Sequence, residues 1–427
     1  MIQWGADVLG EGFECLTFEL GPDDDPGLGG RAARGAEDLA AASGQGGAVQ
    51  VPGAPGRATT DSARRGQSGQ SGQSGHALSA SAPTGAAEPE TGAAPSAAAE
   101  AVVARTAPAG HAGLAPQLVA TLVRSLPAPL SVWERLTRKR RDFEDVDVLY
   151  VHGWSDYFFQ VDLARFWTDR GARFFALDLR RYGRSLRPGQ TPGYITDLSE
   201  YDREIGFALA EMRASAPKSQ HARKLLLLGH STGGLVLSLW AGRHPGVADA
   251  LVLNSPWLEL QLSARGRQMI APIVNLGAKY SPLEGIPQLD SGFYARAQHE
   301  VGPKDELARI NPAWRPDQSH PVHNGWLRAV ISGHDQVYRG LHIETPVCVL
   351  LSARSALPAR WTEELTRTDS VLDVDDISRA ALRLGSSVTV ERIDGALHDV
   401  FVSAPEARQD AYGRLERWSK GWRRALD

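Results

Sequence analysis

The sequence predicts an α/β fold in which helices flank a mostly parallel sheet of eight strands. Three observations support this prediction. From residue 146 onward, short apolar runs alternate with helical patterns, which is typical of strand–helix units around a parallel sheet. A run of four leucines at 225–228 ends in a glycine-rich turn at which a helical pattern begins at once. Before residue 146, two strand-like segments are separated by a long stretch of unusual composition.

The strands and helices can be assigned in chain order. Residues 12–20 (GFECLTFEL) and 118–123 (LVATLV) are apolar and β-type, and we expect them to pair as a hairpin. The strands predicted after them are residues 146–151, 173–177, 224–228, 250–253, 347–351 and 388–393. The predicted helices are residues 157–170, 200–214, 231–243 and 405–426.

Residues 21–116 differ in composition from the rest of the chain. This segment contains no Phe, Trp, Tyr, Ile or Met, and it includes the repeat GQSGQSGQSG at 66–75. Such a segment cannot bury enough apolar area to offset an ordering cost of roughly 1–2 kcal/mol per residue. We therefore expect a disordered low-complexity insertion in the hairpin connection. The fold can tolerate it because the cost of closing a loop grows only with the logarithm of its length.

The sequence accordingly divides into five segments. A second interruption, rich in Trp, Tyr, His and Pro, breaks the alternation of strands and helices and is interpreted as an inserted cap. In order, the segments are the first hairpin strand at 1–20, the disordered insertion at 21–116, the first part of the core at 117–257, the cap at 258–344 and the second part of the core at 345–427.

Composition argues against several classes of protein. The 46 Lys and Arg against 50 Asp and Glu give a net charge of −4, without the basic surplus that nucleic-acid binding requires. Two cysteines, Cys15 and Cys348, cannot form a disulfide framework and are expected to be reduced. The N-terminus has no pattern of a secretory signal, and His230 and Ser231 interrupt the longest apolar stretch, at 225–242. We therefore expect a soluble cytoplasmic protein with no stable membrane span.

The strongest chemical motif is Gly-His-Ser-Thr-Gly at 229–233, directly between a predicted buried strand and a helix. Glycines two positions before and after the serine allow a tight turn that projects Ser231 from the edge of the sheet. A serine hydroxyl is a poor nucleophile near pH 7, so it needs a general base oriented by a carboxylate. Among twelve histidines, His398 follows the last predicted strand, at the same edge of the sheet. Ser231 and His398 are the predicted nucleophile and base.

The orienting acid is less well determined. It should follow the strand at 347–351, between the serine and the histidine in chain order. The acidic residues available there are Glu363, Glu364, Asp369, Asp373, Asp375 and Asp376. The chemistry alone does not choose among them.

Four motifs follow one another from residue 151: Val-His-Gly-Trp at 151–154, Asp-Leu-Arg-Arg-Tyr-Gly-Arg-Ser at 178–185, the turn at 229–233, and Gly-Ala-Leu-His at 395–398. In this order they resemble the α/β-hydrolase superfamily, in the branch of monoacylglycerol lipases, lysophospholipase-like esterases and the serine aminopeptidase domain. The resemblance covers roughly residues 146–422 and implies an α/β-hydrolase fold.

The resemblance also favours one acid. In this branch the acid commonly opens a D-x-V-x-D motif, which maps onto residues 369–373 and therefore onto Asp369. Residues 355–368 make the distance from the preceding strand longer than is usual in the family. Asp373 therefore stays an alternative.

The family's oxyanion hole implies two further site residues. It uses the amide of the residue after the nucleophile and an amide of the His-Gly loop, which map onto Thr232 and Trp154. Two such donors can contribute several kcal/mol to the transition state. The aromatic residues Tyr157, Phe293 and Trp326 are expected to bind substrate.

These features predict a serine hydrolase that cleaves monoacylglycerol, lysophospholipid or a similar ester through an acyl-enzyme. The expected partner is this small-molecule ester, and no metal or organic cofactor is implied. One alternative is an aminopeptidase on short peptides, which needs an acidic subsite such as Glu284 or Asp290. The other is a non-catalytic binding protein on the same fold, for which a broken triad would be the sign. The natural ester and the oligomeric state stay open.

Overall fold

The computed structural model describes residues 3–21, 117–131, 133, 136–137, 141–217, 222–260, 264–286, 291–356 and 360–426, with the backbone alone at 264–271. The insertion predicted to be disordered, at 21–116, lies outside the described residues except for Gly21. No helix in these described ranges is long and apolar enough to cross a membrane.

One sheet of nine strands runs through the described chain. Its strands are β1 (Gly5–Ala6), β2 (Glu14–Glu19), β3 (Val119–Ser125), β4 (Val146–Val151), β5 (Arg173–Asp178), β6 (Lys224–His230), β7 (Ala250–Asn254), β10 (Val347–Ser352) and β11 (Val388–Ile393). The order across the sheet is β1-β2-β3-β5-β4-β6-β7-β10-β11. Strands β4 to β7, β10 and β11 run parallel to one another. The pairs β1–β2, β2–β3 and β3–β5 are antiparallel.

The helices pack on both faces of this sheet. They are α1 (Val161–Thr168), α2 (Asp202–Ala214), α3 (Thr232–Arg243), α4 (Ala264–Tyr280), α5 (Phe293–Val301), α6 (Lys304–Leu307), α7 (Asn324–Arg339), α8 (Val374–Ala381) and α9 (Pro405–Arg424). Helices α4 to α7 lie in the predicted cap, together with the short antiparallel pair β8 (Gly285–Ile286) and β9 (Val322–His323).

This architecture confirms the predicted α/β-hydrolase fold class with a mostly parallel sheet. The sheet has one strand more than the eight predicted. The additional strand is β1, which pairs with β2 over only Gly5 and Ala6. Two residues are too few to show an alternating pattern in the sequence. The first predicted helix also begins later, at Val161, because the amide of Phe158 donates to the Asp178 carboxylate at 3.1 Å instead of entering a helical turn.

Two apolar layers cover the faces of the sheet. Along β4, the side chains of Leu149 and Val151 enter one layer, and those of Val148 and Tyr150 enter the other, as the two-residue period of a strand requires. Helices α2, α3 and α8 contribute to the first layer, and α1 and α9 to the second. Since both faces are covered, the central strands consist mostly of apolar residues, which made them recognisable in the sequence.

The motif at 178–185 forms a buried ionic turn beside the sheet. The Arg184 guanidinium contacts Asp178 Oδ2 at 2.8 Å and Asp7 Oδ2 at 2.6 Å, and all three side chains are buried. Gly183 has a φ of +46°, and a Cβ there would lie 2.4 Å from Tyr157 Cβ. The motif therefore ties the N-terminal residues to the end of β5.

The parallel strands place five chain segments at one edge of the sheet. The carboxyl ends of β4, β6, β7, β10 and β11 lie side by side, with His230 of β6 opposite Asn254 of β7 and Ser352 of β10 opposite Ile393 of β11. The loops that leave these ends carry the polar residues described next.

Candidate active site

Ser231 lies in a strained turn between β6 and α3. Its φ of 50° and ψ of −117° are uncommon for a residue with a side chain. Positions 229 and 233 of this turn accept only glycine, because neighbouring backbone leaves no room for a side chain. A Cβ at Gly233 would lie 2.3 Å from the carbonyl oxygen of His152, and one at Gly229 would lie 2.7 Å from Gly234 Cα. The Ser231 amide donates to the Asn254 carbonyl at 3.0 Å, which fixes the turn against β7.

The structure brings Ser231, His398 and Asp369 together. His398 Nε2 is 3.0 Å from Ser231 Oγ, and His398 Nδ1 is 2.9 Å from Asp369 Oδ2. Their exposed fractions are 8%, 3% and 0% respectively. A carboxylate can only accept a hydrogen bond, so Nδ1 carries the proton and Nε2 is left to accept one from the serine hydroxyl. This is the arrangement that a general base requires.

The two acids that the D-x-V-x-D motif offered have different surroundings. Asp369 Oδ1 accepts the amides of Val371 and Leu372 at 2.8 Å each, which orients Oδ2 towards the imidazole. Asp373 instead caps the N-terminus of α8, where its carboxylate accepts two backbone amides at 3.0 Å. In the described chain, Asp369 is the acid within hydrogen-bond distance of His398.

The loop after β4 packs directly against the serine. His152 Nε2 accepts the Leu179 amide at 3.1 Å, so Nδ1 carries the proton and donates to the Gly153 carbonyl at 2.8 Å. A Cβ at Gly153 would lie 3.0 Å from Ser231 Cβ, so the backbone that leads to Trp154 lies beside the nucleophile. Across the residues that the structure describes, the Trp154 amide donates to no protein acceptor.

Thr232 provides the second amide. It is the first residue of α3, so its amide has no helical carbonyl one turn earlier and lies at the positive end of the helix dipole. The predicted oxyanion donors are thus the amide that directly follows Ser231 and the amide that follows Gly153, whose backbone lies against the serine.

Two buried polar residues that the sequence did not single out connect the loops. Asn254 Nδ2 donates to Asp399 Oδ1 at 2.7 Å, and its Oδ1 accepts the Val400 amide at 3.2 Å. Asp399 Oδ2 accepts Gln160 Nε2 at 3.0 Å. Only their positions in the sequence could have indicated that these two residues belong to the site. Asn254 ends an apolar strand at the edge that carries Ser231, and Asp399 follows His398 directly.

His230 lies next to the base. Its ring centroid is 5.1 Å from that of His398, and its Nδ1 donates to the Asn254 carbonyl at 3.1 Å. Burial lowers the pKa of His230, so the ring stays neutral at neutral pH. It therefore adds no positive charge beside the imidazolium that forms on His398 during proton transfer.

The three aromatic residues expected to bind substrate occupy different places. Tyr157 is fully buried, and its hydroxyl accepts the Asn311 amide at 2.8 Å, so it joins the core to the cap. The ring of Phe293 packs on that of Trp361 at 6.0 Å. Trp326 stacks on Trp154 with ring centroids 3.9 Å apart, which puts it beside the loop after β4.

Three tryptophans form an aromatic wall near Ser231. Trp326 lies between Trp154 and Trp257, with its ring centroid 5.9 Å from that of Trp257. The amide of Trp257 donates to the Ser231 carbonyl at 3.0 Å, so the wall begins at the turn itself. Their indole nitrogens are buried without acceptors among the described residues.

The acidic residues considered for an amine subsite lie elsewhere. Glu284 is exposed in the turn before β8, and Asp290 is outside the described residues. Two other carboxylates near the base are compensated: Asp156 is 2.8 Å from Arg315 Nε, and Asp399 accepts three N–H donors. In the parts of the chain that the structure describes, no group of three His, Cys, Asp or Glu side chains is placed to hold a metal ion.

Comparison with known proteins gives three kinds of similarity. Residues 145–357 match the family model described as serine aminopeptidase, S33. The chain is 24% identical over 265 residues to a 1-acylglycerol-3-phosphate O-acyltransferase, ABHD5, of Rattus norvegicus, which covers 56% of this chain and 67% of that protein. It is 24% identical over 214 residues to a monoacylglycerol lipase of Mycolicibacterium smegmatis, which covers 48% of this chain and 68% of the lipase.

A solved structure supports the same fold. The monoacylglycerol lipase of Paleococcus ferrophilus superposes with a TM-score of 0.50 at 17% identity, over 70% of this chain and 99% of that one. At this identity the similarity concerns the fold of the chain.

Proposed function

Because the chain belongs to the α/β-hydrolase superfamily and is similar to its monoacylglycerol lipase branch, we propose that it is a serine hydrolase of carboxylic esters. The observation that carries the proposal is the distance of 3.0 Å between His398 Nε2 and Ser231 Oγ, with Asp369 holding the proton on the other ring nitrogen. A strained turn that presents a buried hydroxyl to an imidazole nitrogen is the arrangement expected for a nucleophile.

The proposed reaction begins with attack of Ser231 Oγ on the ester carbonyl carbon. His398 Nε2 takes the hydroxyl proton, and the Asp369 carboxylate stabilises the imidazolium. The amides of Trp154 and Thr232 donate to the oxyanion of the tetrahedral intermediate. When the intermediate collapses, the ester C–O bond breaks, and the alcohol leaves with the proton from His398.

The second half returns the enzyme to its starting state. A water molecule loses a proton to His398 Nε2 and attacks the carbonyl carbon of the acyl-serine. The bond to Ser231 Oγ then breaks, the serine recovers its proton, and the carboxylic acid leaves. This chemistry uses only side chains and amides of the chain itself.

The aromatic wall supports an apolar acyl group as the substrate's acid component. The Trp257 amide bonds to the Ser231 carbonyl, and the ring of Trp326 packs against the rings of both Trp257 and Trp154, so this apolar cluster adjoins the serine turn. Burial of apolar atoms contributes about 25 cal/mol per Å². We therefore propose a monoacylglycerol, a lysophospholipid or a similar monoacyl ester as the substrate class. The similarity to a protein named monoacylglycerol lipase supports the same class.

An aminopeptidase activity has less support. A peptide's free amine needs an uncompensated carboxylate. Apart from Asp369, the buried acids Asp156 and Asp399 are already paired or hydrogen-bonded. A purely non-catalytic role has no support from the intact Ser231, His398 and Asp369 contacts.

The proposal can be tested by labelling with a fluorophosphonate probe, which reacts with activated serines. We expect the unmodified protein and the control Ser238→Ala to be labelled and Ser231→Ala to be unlabelled. Ser238 is a suitable control because it is buried in α3 and bonds only to the Gly234 carbonyl, at 2.7 Å. Undiminished labelling of Ser231→Ala, with the modified peptide elsewhere in the chain, would contradict the proposal.

A further inference from the structure

We propose that Tyr294 of the cap is a positioning residue for His398, acting at the end of a buried polar chain that joins the Trp154 loop to the His398 loop through the cap. This inference rests on the proposed function. It assigns to the cap a part in assembling the catalytic groups, in addition to covering them.

Tyr294 contacts the base in two ways. Its hydroxyl oxygen accepts the Asp399 amide at 3.2 Å, and this amide belongs to the peptide bond that directly follows His398. Its ring meets the imidazole edge to face, with centroids 5.6 Å apart and planes at 79°. Tyr294 therefore restrains both the backbone and the ring of the base.

The chain continues through buried groups of the cap. Gln298, one turn further along α5, donates to the Tyr294 hydroxyl at 2.8 Å, and its Oε1 accepts Arg315 Nη2 at 2.6 Å. Arg315 Nε in turn is 2.8 Å from Asp156 Oδ1. Gln298 and Asp156 are only 1% and 6% exposed, so water does not compete for these contacts.

At its far end the chain reaches the loop of the Trp154 amide. Asp156 lies two residues after Trp154, and between them Ser155 has a left-handed φ of 52°. The hydroxyl of Ser155 accepts the amide of His320, another cap residue, at 3.0 Å. The cap segment at 315–320 thus holds this loop at two adjacent residues.

The charges along the chain are balanced. Burial alone would lower the pKa of Arg315, but Asp156, Tyr294 and Asp399 raise it, so the guanidinium stays charged. Burial and the nearby Asp399 raise the pKa of Tyr294 well above its usual value, so the phenol stays neutral and its oxygen is fixed as an acceptor for two N–H donors. If that oxygen is removed, the donors on Gln298 and Asp399, two buried residues, lose their partner, which is costly.

The polar chain affects the relative position of the Trp154 loop and the His398 loop. The Trp154 amide, proposed as an oxyanion donor, follows β4, whereas the proposed base His398 follows β11, so the two groups come from distant parts of the chain. Their separation must hold to within a fraction of an ångström for catalysis. The core fixes the two strands, and the polar chain through Tyr294, Gln298 and Arg315 adds a direct connection between the two loops.

The test uses steady-state hydrolysis of a short-chain p-nitrophenyl ester by the unmodified protein and its variants Tyr294→Phe and Gln298→Leu. We expect kcat to fall by roughly 5- to 10-fold in each, the effect of losing a buried hydrogen bond, with KM changed less than about twofold. The double variant should lose no more than the worse single variant, because either change alone already interrupts the polar chain at the contact between Tyr294 and Gln298.

Tyr412→Phe is the matched control. Tyr412, like Tyr294, is a half-buried tyrosine; it lies beside the His398 loop with its ring 5.0 Å from Phe401, but its buried hydroxyl has no partner among the described residues. It should therefore keep the kcat of the unmodified protein. If Tyr294→Phe fails to fold, as judged by circular dichroism, Gln298→Leu carries the same test.

Three results would overturn the inference: a kcat of Tyr294→Phe or Gln298→Leu equal to that of Tyr412→Phe, a loss confined to KM, or losses that multiply in the double variant. Ser231→Ala, measured in the same series, separates the two levels. If Ser231→Ala is inactive while Tyr294→Phe matches its control, the positioning role fails and the serine mechanism stands. If Ser231→Ala keeps full turnover, both fail.

Discussion

Replacing Asp369 by Asn should abolish most of the activity through a change of histidine tautomer. The amides of Val371 and Leu372 both donate to Oδ1 at 2.8 Å, so this position must keep an oxygen when the carboxylate becomes an amide. The new NH₂ group then faces His398 Nδ1 across the present 2.9 Å contact. Two donors cannot bond to each other, so Nδ1 must become the acceptor and the proton must move to Nε2. An Nε2–H cannot take the proton of Ser231.

The size of the effect follows from this geometry. Asp369 is completely buried, so no water can replace it as an acceptor. Fixing the wrong tautomer in a comparable triad costs about 10⁴-fold in kcat. We expect a loss of about 10³- to 10⁴-fold, which corresponds to roughly 4–5.5 kcal/mol of transition-state stabilisation.

The assay is kcat/KM for a p-nitrophenyl ester, with circular dichroism as a check on folding and Asp373→Asn as the matched control. Asp373 caps α8, and Asn is an equally good N-cap, so this variant should keep activity within about twofold. Activity of Asp369→Asn within tenfold of the unmodified protein would refute the reasoning. So would an equal loss in Asp373→Asn, because the two positions would then be indistinguishable.

Three further predictions concern stability and specificity. Gly233→Ala should lower the melting temperature strongly or prevent folding, because its Cβ would lie 2.3 Å from a carbonyl oxygen. The control Gly413→Ala should keep the melting temperature, because its Cβ would meet nothing closer than 3.6 Å. Equal melting curves for the two variants would contradict this prediction. Burial raises the pKa of Glu306 to about 8 from an ordinary value of 4.5, so folding takes up a proton between these values and stability should fall as pH rises from about 5 to 8. Glu306→Gln should flatten that fall in melting temperature, and an unchanged slope would count against the burial argument. Trp326→Ala should shift the preference among p-nitrophenyl esters towards longer acyl chains, and an unaltered chain-length profile would show that the aromatic wall does not limit the acyl group.

The fold could be predicted from sequence because its determinants are local and repeated. The central strands are buried on both faces, so they are continuous apolar runs such as 225–228 and 347–351 that need no tertiary information to recognise. The two-residue strand β1 could not be predicted, since its pairing with Cys15 and Glu14 depends on a turn rather than on a pattern.

The site was partly accessible for the same reason. Ser231 and His398 follow strands whose ends must meet at one edge of a parallel sheet, so chain order was informative. The chemistry of the residues could not separate Asp369 from Asp373, because two acids four residues apart in a loop differ only in which backbone amides they meet; the family resemblance favoured Asp369 and left Asp373 as an alternative. The polar chain through the cap was invisible, because Tyr294 and Arg315 are brought to the loops by the tertiary fold alone.

The order of the strands has a consequence during synthesis of the protein on the ribosome. The serine turn is complete once the central strands have been made, but the imidazole and its carboxylate lie on the segments that follow β10 and β11. A chain synthesised only as far as β10 therefore holds Ser231 without the proposed acid and without the proposed base. Under the proposed mechanism, esterase activity begins only after the segment up to residue 398 has been made and has folded onto the earlier strands.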